Sequence, residues 1–467
     1  MAAYRPDAKL LELGPDFYDA VEPAVFPKCV PRFVNQRSAG RVGLELDGEG
    51  WAGHFCRFEP LAGNLAQPLA LRYHGHQFRV YNPDIGDGRG FLFAQLRDDR
   101  DRLLDLGTKG SGQTPYSRFG DGRLTLKGGV REVLATEMLE ALGVETSKTF
   151  SLIETGEGLE RNDEPSPTRS SVLVRLSHGH IRIGTFQRLA LLEQRDEMRA
   201  LVDYCLENFF GQEGGEDGPV RFLDLVSQGT ARLAASYIAA GFVHGVLNSD
   251  NIAITAESFD YGPWRFTPHW DGAFTAAYFD HNGLYAFGRQ PEAIHWDLVQ
   301  LAASLRLLAE ADVLMPALEV FPERFQQAMR IAMLGRLGVR PRDMEQDKAL
   351  INAFESALLT KSVTIDRAFF DWRGGRRRGS SPADEHYRSE AFAGFVEQVA
   401  GYEPAVSLDH DYWSDAAPCS VHIEEVEHIW AGIDESDDWT LFYTKIDEMR
   451  RMGEAMGNND TEKGWGH

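Results

Sequence analysis

The 467-residue chain holds only four cysteines, Cys29, Cys56, Cys205 and Cys419, and no two of them form a CxxC pair. That scarcity gives no sign of a zinc site or a disulfide framework, so scattered reduced thiols are expected. Long apolar runs are missing too. None approaches the roughly 20 residues needed to span a bilayer. The opening stretch MAAYRPDAKLLELGPDF has no uninterrupted apolar region of the kind a signal peptide needs. The expectation is a cytoplasmic protein with no membrane partner. An excess of positive charge is also absent: 48 Lys and Arg stand against 71 Asp and Glu, a formal net charge of −23. Such a surface does not suit DNA, RNA or anionic lipid, and no nucleic-acid partner is expected. There is no GxxxxGK[ST] loop, no GxSxG elbow and no HExxH helix, which removes the P-loop, the hydrolase nucleophile and the zincin site.

What is present is ordinary globular material, 43% hydrophobic and 25% charged, with length enough for two or three structural units. Residues 1–55, with Pro15, Phe17, Pro23, Phe26, Pro27 and Pro31, read as an irregular N-terminal arm packed on a folded body. From 56 to 190, strand-like runs at 88–96, 102–109 and 171–176 are bounded by glycine clusters. Between them Val130, Val133, Leu134, Met138 and Ala141 recur at helical spacing. From 191 to 372 the period turns helical, at 197–210, 226–240, 296–310 and 321–337. The segment 373–467 forms a C-terminal extension. It opens on the aperiodic loop Gly374–Pro382 with its three arginines, then turns acidic, with one apparent helix and an Asn/Asp/Gly-rich end expected to fray. The fold class this predicts is α+β: a bilobal, protein-kinase-like fold with a β-rich N-lobe holding one key helix, a helical C-lobe, and extensions at both ends.

The chemistry concentrates after the helix that ends near Gly241. There the chain runs Phe242-Val-His-Gly-Val-Leu-Asn-Ser-Asp250-Asn251, a β-like Ile252-Ala-Ile-Thr255, then Ser258-Phe-Asp260-Tyr-Gly262. This order predicts Asn251 at a loop end and Asp260 after a short hairpin, both facing one cleft. Their oxygens are hard ligands suited to Mg²⁺ shared with phosphate, and protein kinases hold metal with such an Asn and Asp. Lys109 closes a strand-like run, where a kinase lysine contacts nucleotide phosphates and is held by a helix glutamate. Glu132, Glu137 and Glu140 are all available for that, and spacing does not choose among them. Gly-Asp-Gly-Arg occurs twice, at 86–89 and 120–123. Glycine permits close approach to a ligand and arginine can pair with phosphate, although tight turns use the same residues. Arg175 and Arg182 sit in Val-Arg-Leu and Ile-Arg-Ile, alternating positions that ordinarily face solvent. The His74/His76 and His178/His180 pairs have no third and fourth ligand signalled and read as turn or core histidines.

Together these segments are similar to the selenoprotein O family, also called YdiU. The resemblance rests on Tyr73-His-Gly-His-Gln-Phe78, Gly86-Asp-Gly-Arg-Gly90, Lys109-Gly-Ser-Gly-Gln-Thr-Pro-Tyr-Ser-Arg118, Gly120-Asp-Gly-Arg123, Arg131-Glu132, His244 to Asn251 and Asp260-Tyr-Gly-Pro263, and spans about 70–310, continuing weakly to 370. It implies a kinase-like fold that transfers AMP from ATP to protein hydroxyls. It further implies nucleotide contacts from Gly86, Gly88, Arg89, Lys109, Asp121, Gly122, Arg175, Arg182 and Asp260, and it selects Glu132 as the partner of Lys109. Mg²⁺ or Mn²⁺ on Asn251 and Asp260, and Asp250 as proton acceptor, are implied in the same way. The motifs do not specify the base, so UMP transfer is kept beside AMP, as is the choice of Ser, Thr or Tyr as acceptor.

One reading of the residues themselves favours the altered chemistry. A kinase places its proton-accepting Asp five residues before the metal-binding Asn; here that position is Val246, which accepts no proton. The alternatives are a kinase that transfers the γ-phosphate using Asp250, and a non-catalytic ATP-binding pseudokinase scaffold. No match to the family is evident beyond residue 372, and the family's C-terminal cysteine or selenocysteine motif is missing, so thiol control tied to that tail is not expected.

Overall fold

The computed structural model describes residues 2–162 and 164–457. In chain order, β1 (Tyr18–Ala20), β2 (Val30–Val34), α1 (Gln36–Arg41) and α2 (Gly48–Phe55) occupy the first 55 residues. Then come β3 (Leu69–Leu71), β4 (Gly75–Gln77), β5 (Val80–Asn82), β6 (Leu92–Arg97), β7 (Leu103–Lys109), β8 (Leu124–Thr125), α3 (Leu126–Ala141), β9 (Lys148–Leu159) and β10 (Thr168–Ser177). Six of these strands join β1 and β2 in one antiparallel sheet of order β1-β3-β6-β7-β10-β9-β2, with β8 on β10, while β4 and β5 form a separate hairpin. All seven residues of β7 are buried, as a central strand requires. One face of the sheet packs on α2, where Trp51 lies 5.1 Å from the Phe150 ring and Phe55 meets Phe93 edge-on at 5.8 Å. The other face receives α3, whose N-terminus is capped by the Thr125 hydroxyl accepting from Gly128 N–H.

The second half is helical, with α4 (Ile183–Leu191), α5 (Arg195–Phe209), α6 (Gly218–Ala240), α7 (Gln290–Leu305), α8 (Ala311–Glu319), α9 (Phe321–Leu337), α10 (Met344–Leu358) and α11 (Ile365–Asp371). The long α6 is its axis: Phe222, Val226, Thr230, Leu233 and Tyr237, at i, i+4 and i+7 spacings, are buried among α5, α7, α8 and α9. Between α6 and α7, the hairpin of β11 (Phe242–His244) and β12 (Trp264–Phe266) brackets residues 245–263. This sheet-rich first part and helical second part are consistent with a kinase-like bilobal fold.

After residue 373 the chain forms α12 (Asp384–Tyr387), α13 (Glu390–Val399), α14 (Ile423–Ser436) and α15 (Thr440–Met456), where the sequence suggested one helix. The spacing that builds them is present in Val426, Ile429, Trp430 and Ile433, and in Phe442, Ile446 and Met449. The last helix returns to α3, where Arg450 Nε and Nη2 each donate to Glu137 over 2.8 Å. Most of the end expected to fray, residues 458–467, lies outside the described residues. The expectation of four reduced thiols is corrected: Cys29 and Cys56 form a disulfide, with Cα atoms 6.0 Å apart. The start of β2 and the end of α2 bring them together, a tertiary contact that a 27-residue separation cannot signal. Cys205 and Cys419 are buried free thiols.

Candidate active site

Because β11 pairs with β12, the segments that follow and precede them lie side by side. Gly245 N–H donates to Pro263 O at 2.8 Å and the His244 ring bonds Phe259 O at 3.0 Å. Residues Ser249–Asn251 make one turn of 3-10 helix. The Asn251 amide donates to Val246 O at 3.0 Å. A carbonyl only accepts, so this bond fixes the amide's orientation and leaves the Asn251 Oδ1 for another partner. The expected β-like run at 252–255 is not a strand; only Ala253 bridges, to Arg182. Asp260 takes a left-handed φ of +61°, a costly conformation for a non-glycine residue that persists only where surroundings enforce it.

Those surroundings are cationic. Lys109, at the end of β7, places Nζ 2.6 Å from Asp260 Oδ1 and also pairs with Glu132 of α3. Arg175 of β10 lies 3.7 Å from the same oxygen. Burial pushes the Asp260 carboxyl up, but Lys109, Arg175 and Arg89 outweigh it and hold Asp260 well below the usual carboxylate range. Of the three candidate glutamates, Glu132 therefore meets Lys109. Glu137 is taken by Arg450, and Glu140 by Lys148 at 3.2 Å.

The two strand arginines correct the expectation of solvent-facing side chains: Arg175 is 6% and Arg182 2% exposed. Arg182 begins α4, where the turn directs it inward. It donates to Asp250 O at 3.0 Å and to Asp87 Oδ1 at 3.4 Å, and its guanidinium stacks over Tyr73 at 4.2 Å and Phe259 at 4.9 Å. Asp87, Tyr73 and Phe259 were not singled out from the sequence, although Asp87 lies inside the first Gly-Asp-Gly-Arg. Arg175 Nε and Nη1, Arg182 Nε and Asp250 Oδ1 are all buried without a hydrogen-bond partner. A buried charged donor left without a hydrogen bond costs about 1–3 kcal/mol or more, so the open Arg175 and Arg182 donors mark where an anionic ligand would be stabilised. Burial, partly offset by Arg182, pushes the Asp250 carboxyl up to about 6.

The remaining sequence candidates are placed unevenly. Gly86 and Gly88 pass tightly over Tyr116: a Cβ would lie 2.5 Å from its ring at Gly86 and 2.9 Å from its carbonyl oxygen at Gly88. Arg89 is exposed, yet near enough for its charge to act on Asp260. Gly122 has φ +70° and its chain lies against Gly112, three residues beyond Lys109. Asp121 is not drawn into the cluster; it is exposed and paired with Arg161 at 2.8 Å. Two hard oxygens suited to a divalent cation stay open: both cations on Asp260 meet Oδ1, which leaves Oδ2, and Asn251 offers Oδ1. The histidines serve structural bonds, His74 to Tyr81, His76 to Gln187 and His180 to Asp105.

Comparison with known proteins shows the family. A family model described as protein adenylyltransferase SelO matches residues 2–450, so the family's match extends into the last helix, well past residue 372. The chain is 42% identical over 462 residues to the protein nucleotidyltransferase YdiU of Gloeobacter violaceus, covering 94% of this chain and 93% of that one. It is 47% identical over 334 residues to the protein of the same name from Synechocystis sp., covering 71% and 70%, and 39% identical over 481 residues to that of Trichodesmium erythraeum, covering 94% and 96%. The chain belongs to the SelO family of protein adenylyltransferases.

Proposed function

We propose that this chain transfers AMP from ATP to hydroxyl side chains of proteins at the site formed by Lys109, Arg175, Arg182, Asp250, Asn251 and Asp260. The observation that carries the reading is the set of buried guanidinium donors without a hydrogen bond, Arg175 Nε and Nη1 and Arg182 Nε, near a loop where Val246 stands in place of the kinase base. The arginines and Lys109 suit a polyphosphate, and Asp250 is the one carboxylate between His244 and Asn251.

In the proposed reaction the acceptor oxygen bonds to the α-phosphorus and the bond from that phosphorus to the α–β bridging oxygen breaks. Pyrophosphate leaves with the electron pair. Asp250, ionised above about pH 6, takes the hydroxyl proton. Arg175 and Arg182, both buried, stabilise charge developing on the phosphoryl oxygens, where donors shielded from water act most strongly. Lys109, held by Glu132, orients the phosphate chain. Mg²⁺ or Mn²⁺ held by Asn251 and Asp260 would neutralise phosphate charge.

Product analysis tests this. Incubation with ATP, metal and a protein pool yields acceptor-dependent pyrophosphate; ADP formed in step with protein labelling would instead identify a kinase.

A further inference from the structure

The hairpin of β4 and β5 stands outside the main sheet and lies on the turn that carries Asp250 and Asn251. His76 backbone N–H donates to Ser249 Oγ at 2.7 Å, and Ser249 Oγ–H donates in turn to Gln187 Oε1 at 2.6 Å. Gln187 Nε2 donates back to His76 Nδ1 at 2.7 Å, closing a ring of three residues. Ser249 is 0% and Gln187 5% exposed, so the bond between them is made away from water and is costly to leave open, while the two to half-buried His76 are partly buried. Beside it, Asn248 Oδ1 accepts from Phe78 N–H at 3.0 Å and from Tyr285 O–H at 2.7 Å. At the hairpin's first residue the fit is close: a Cβ on Gly75 would lie 3.0 Å from the Asp250 Cβ and 3.1 Å from its Oδ1.

Residues 248, 249 and 250 are thus each gripped by the hairpin, and its chain continues directly into the Gly86-Asp87-Gly88 loop that touches Arg182. Gln187 and Arg182 also belong to one structural unit, since Arg182 caps α4 and Gln187 lies on it. We propose that His76, Ser249 and Gln187 form a positioning network that sets Asp250 against the acceptor hydroxyl. Its effect falls on turnover more than on nucleotide affinity, because none of its hydrogen bonds reaches the arginines or Asp260. The inference rests on the role proposed above for Asp250.

The test compares wild type with Ser249→Ala and Gln187→Ala, measuring label transfer from α-labelled ATP at several ATP concentrations together with thermal unfolding. Both variants lose turnover by roughly 10- to 100-fold, the scale at which small misplacement of a reacting group acts, while KM for ATP changes less than about threefold. Gln187→Ala keeps the Ser249 hydroxyl bonded to the His76 N–H and is the variant to read should Ser249→Ala unfold. Wild-type turnover in a folded Gln187→Ala, or a loss carried by KM, overturns the positioning network. Absence of α-label transfer by wild type instead overturns the underlying reading of the site.

Discussion

Arg175→Met is a sharp probe of the site because its consequences for stability and for binding should diverge. In the free protein Arg175 is buried with Nε and Nη1 lacking hydrogen bonds, stacks on Phe259 at 5.3 Å, and makes only a 3.7 Å ion pair with Asp260. Removing unpaired charged donors recovers about 1–3 kcal/mol. Loss of the stacking and of the ion pair takes back a similar amount, about 1–2 kcal/mol, and Asp260 keeps Lys109. Methionine fills comparable length without donors. The unfolding free energy without nucleotide should therefore stay within about 1 kcal/mol of wild type. With ATP the balance differs, because charge-assisted bonds to phosphate are worth about 1.5–3 kcal/mol, or roughly 10- to 150-fold in Kd. Thermal unfolding with and without ATP and divalent metal, supported by calorimetry, reads both quantities. At ATP near 100 times the wild-type Kd, wild type gains about 2.7 kcal/mol and the variant about 0.3–1.4 kcal/mol. Arg182→Met gives the contrast, since Arg182 holds the Asp250 carbonyl and Asp87, and its loss should destabilise even the free protein. Wild-type ATP affinity in Arg175→Met, or a loss above about 3 kcal/mol without nucleotide, refutes this reasoning.

Arg450→Ala should leave the buried Glu137 carboxylate with Arg37 alone, at 3.4 Å, and cost about 2–4 kcal/mol in chemical denaturation. If the C-terminal helix steadies α3, transfer activity falls with it. Glu257 accepts a bond from His178 N–H, and burial pushes its carboxyl up from 4.5 to about 7. A carboxyl raised on folding is penalised at high pH: the penalty is absent below about pH 4.5, grows to pH 7 and is full above it. Glu257→Gln, which keeps the acceptor, should stabilise by about 2 kcal/mol at pH 8 and by little at pH 4.5; equal effects at both pH values would contradict the shift. Reducing the Cys29–Cys56 bond, which closes a 27-residue separation, should lower stability by about 3–4 kcal/mol, and Cys29→Ser should unfold identically with and without reductant.

Much of the site was legible because its parts lie in short, ordered segments. The end of α6 at Gly241, the turn carrying Asp250 and Asn251, and Asp260 beyond it follow from glycine placement and helical period. Lys109 at the end of β7 and Glu132 on α3 were both identified, but only packing shows that Glu137 is engaged by Arg450, over 300 residues away in sequence. The arginines were misjudged from alternation alone: β10 is buried on both faces, so Arg175 has no solvent side to take, and Arg182 caps a helix and does not continue a strand. The disulfide and the grip of the β4–β5 hairpin on Ser249 are long-range contacts with no local period to announce them.

The central claim is that the α-phosphate, not the γ-phosphate, ends on protein. Parallel reactions with α-labelled and γ-labelled ATP, in Mg²⁺ or Mn²⁺, decide it when followed to acid-stable label on protein. AMP transfer gives label from α-ATP with wild type, none from γ-ATP, and none from either with Asp260→Ala. Label retained on protein only from γ-ATP would contradict it.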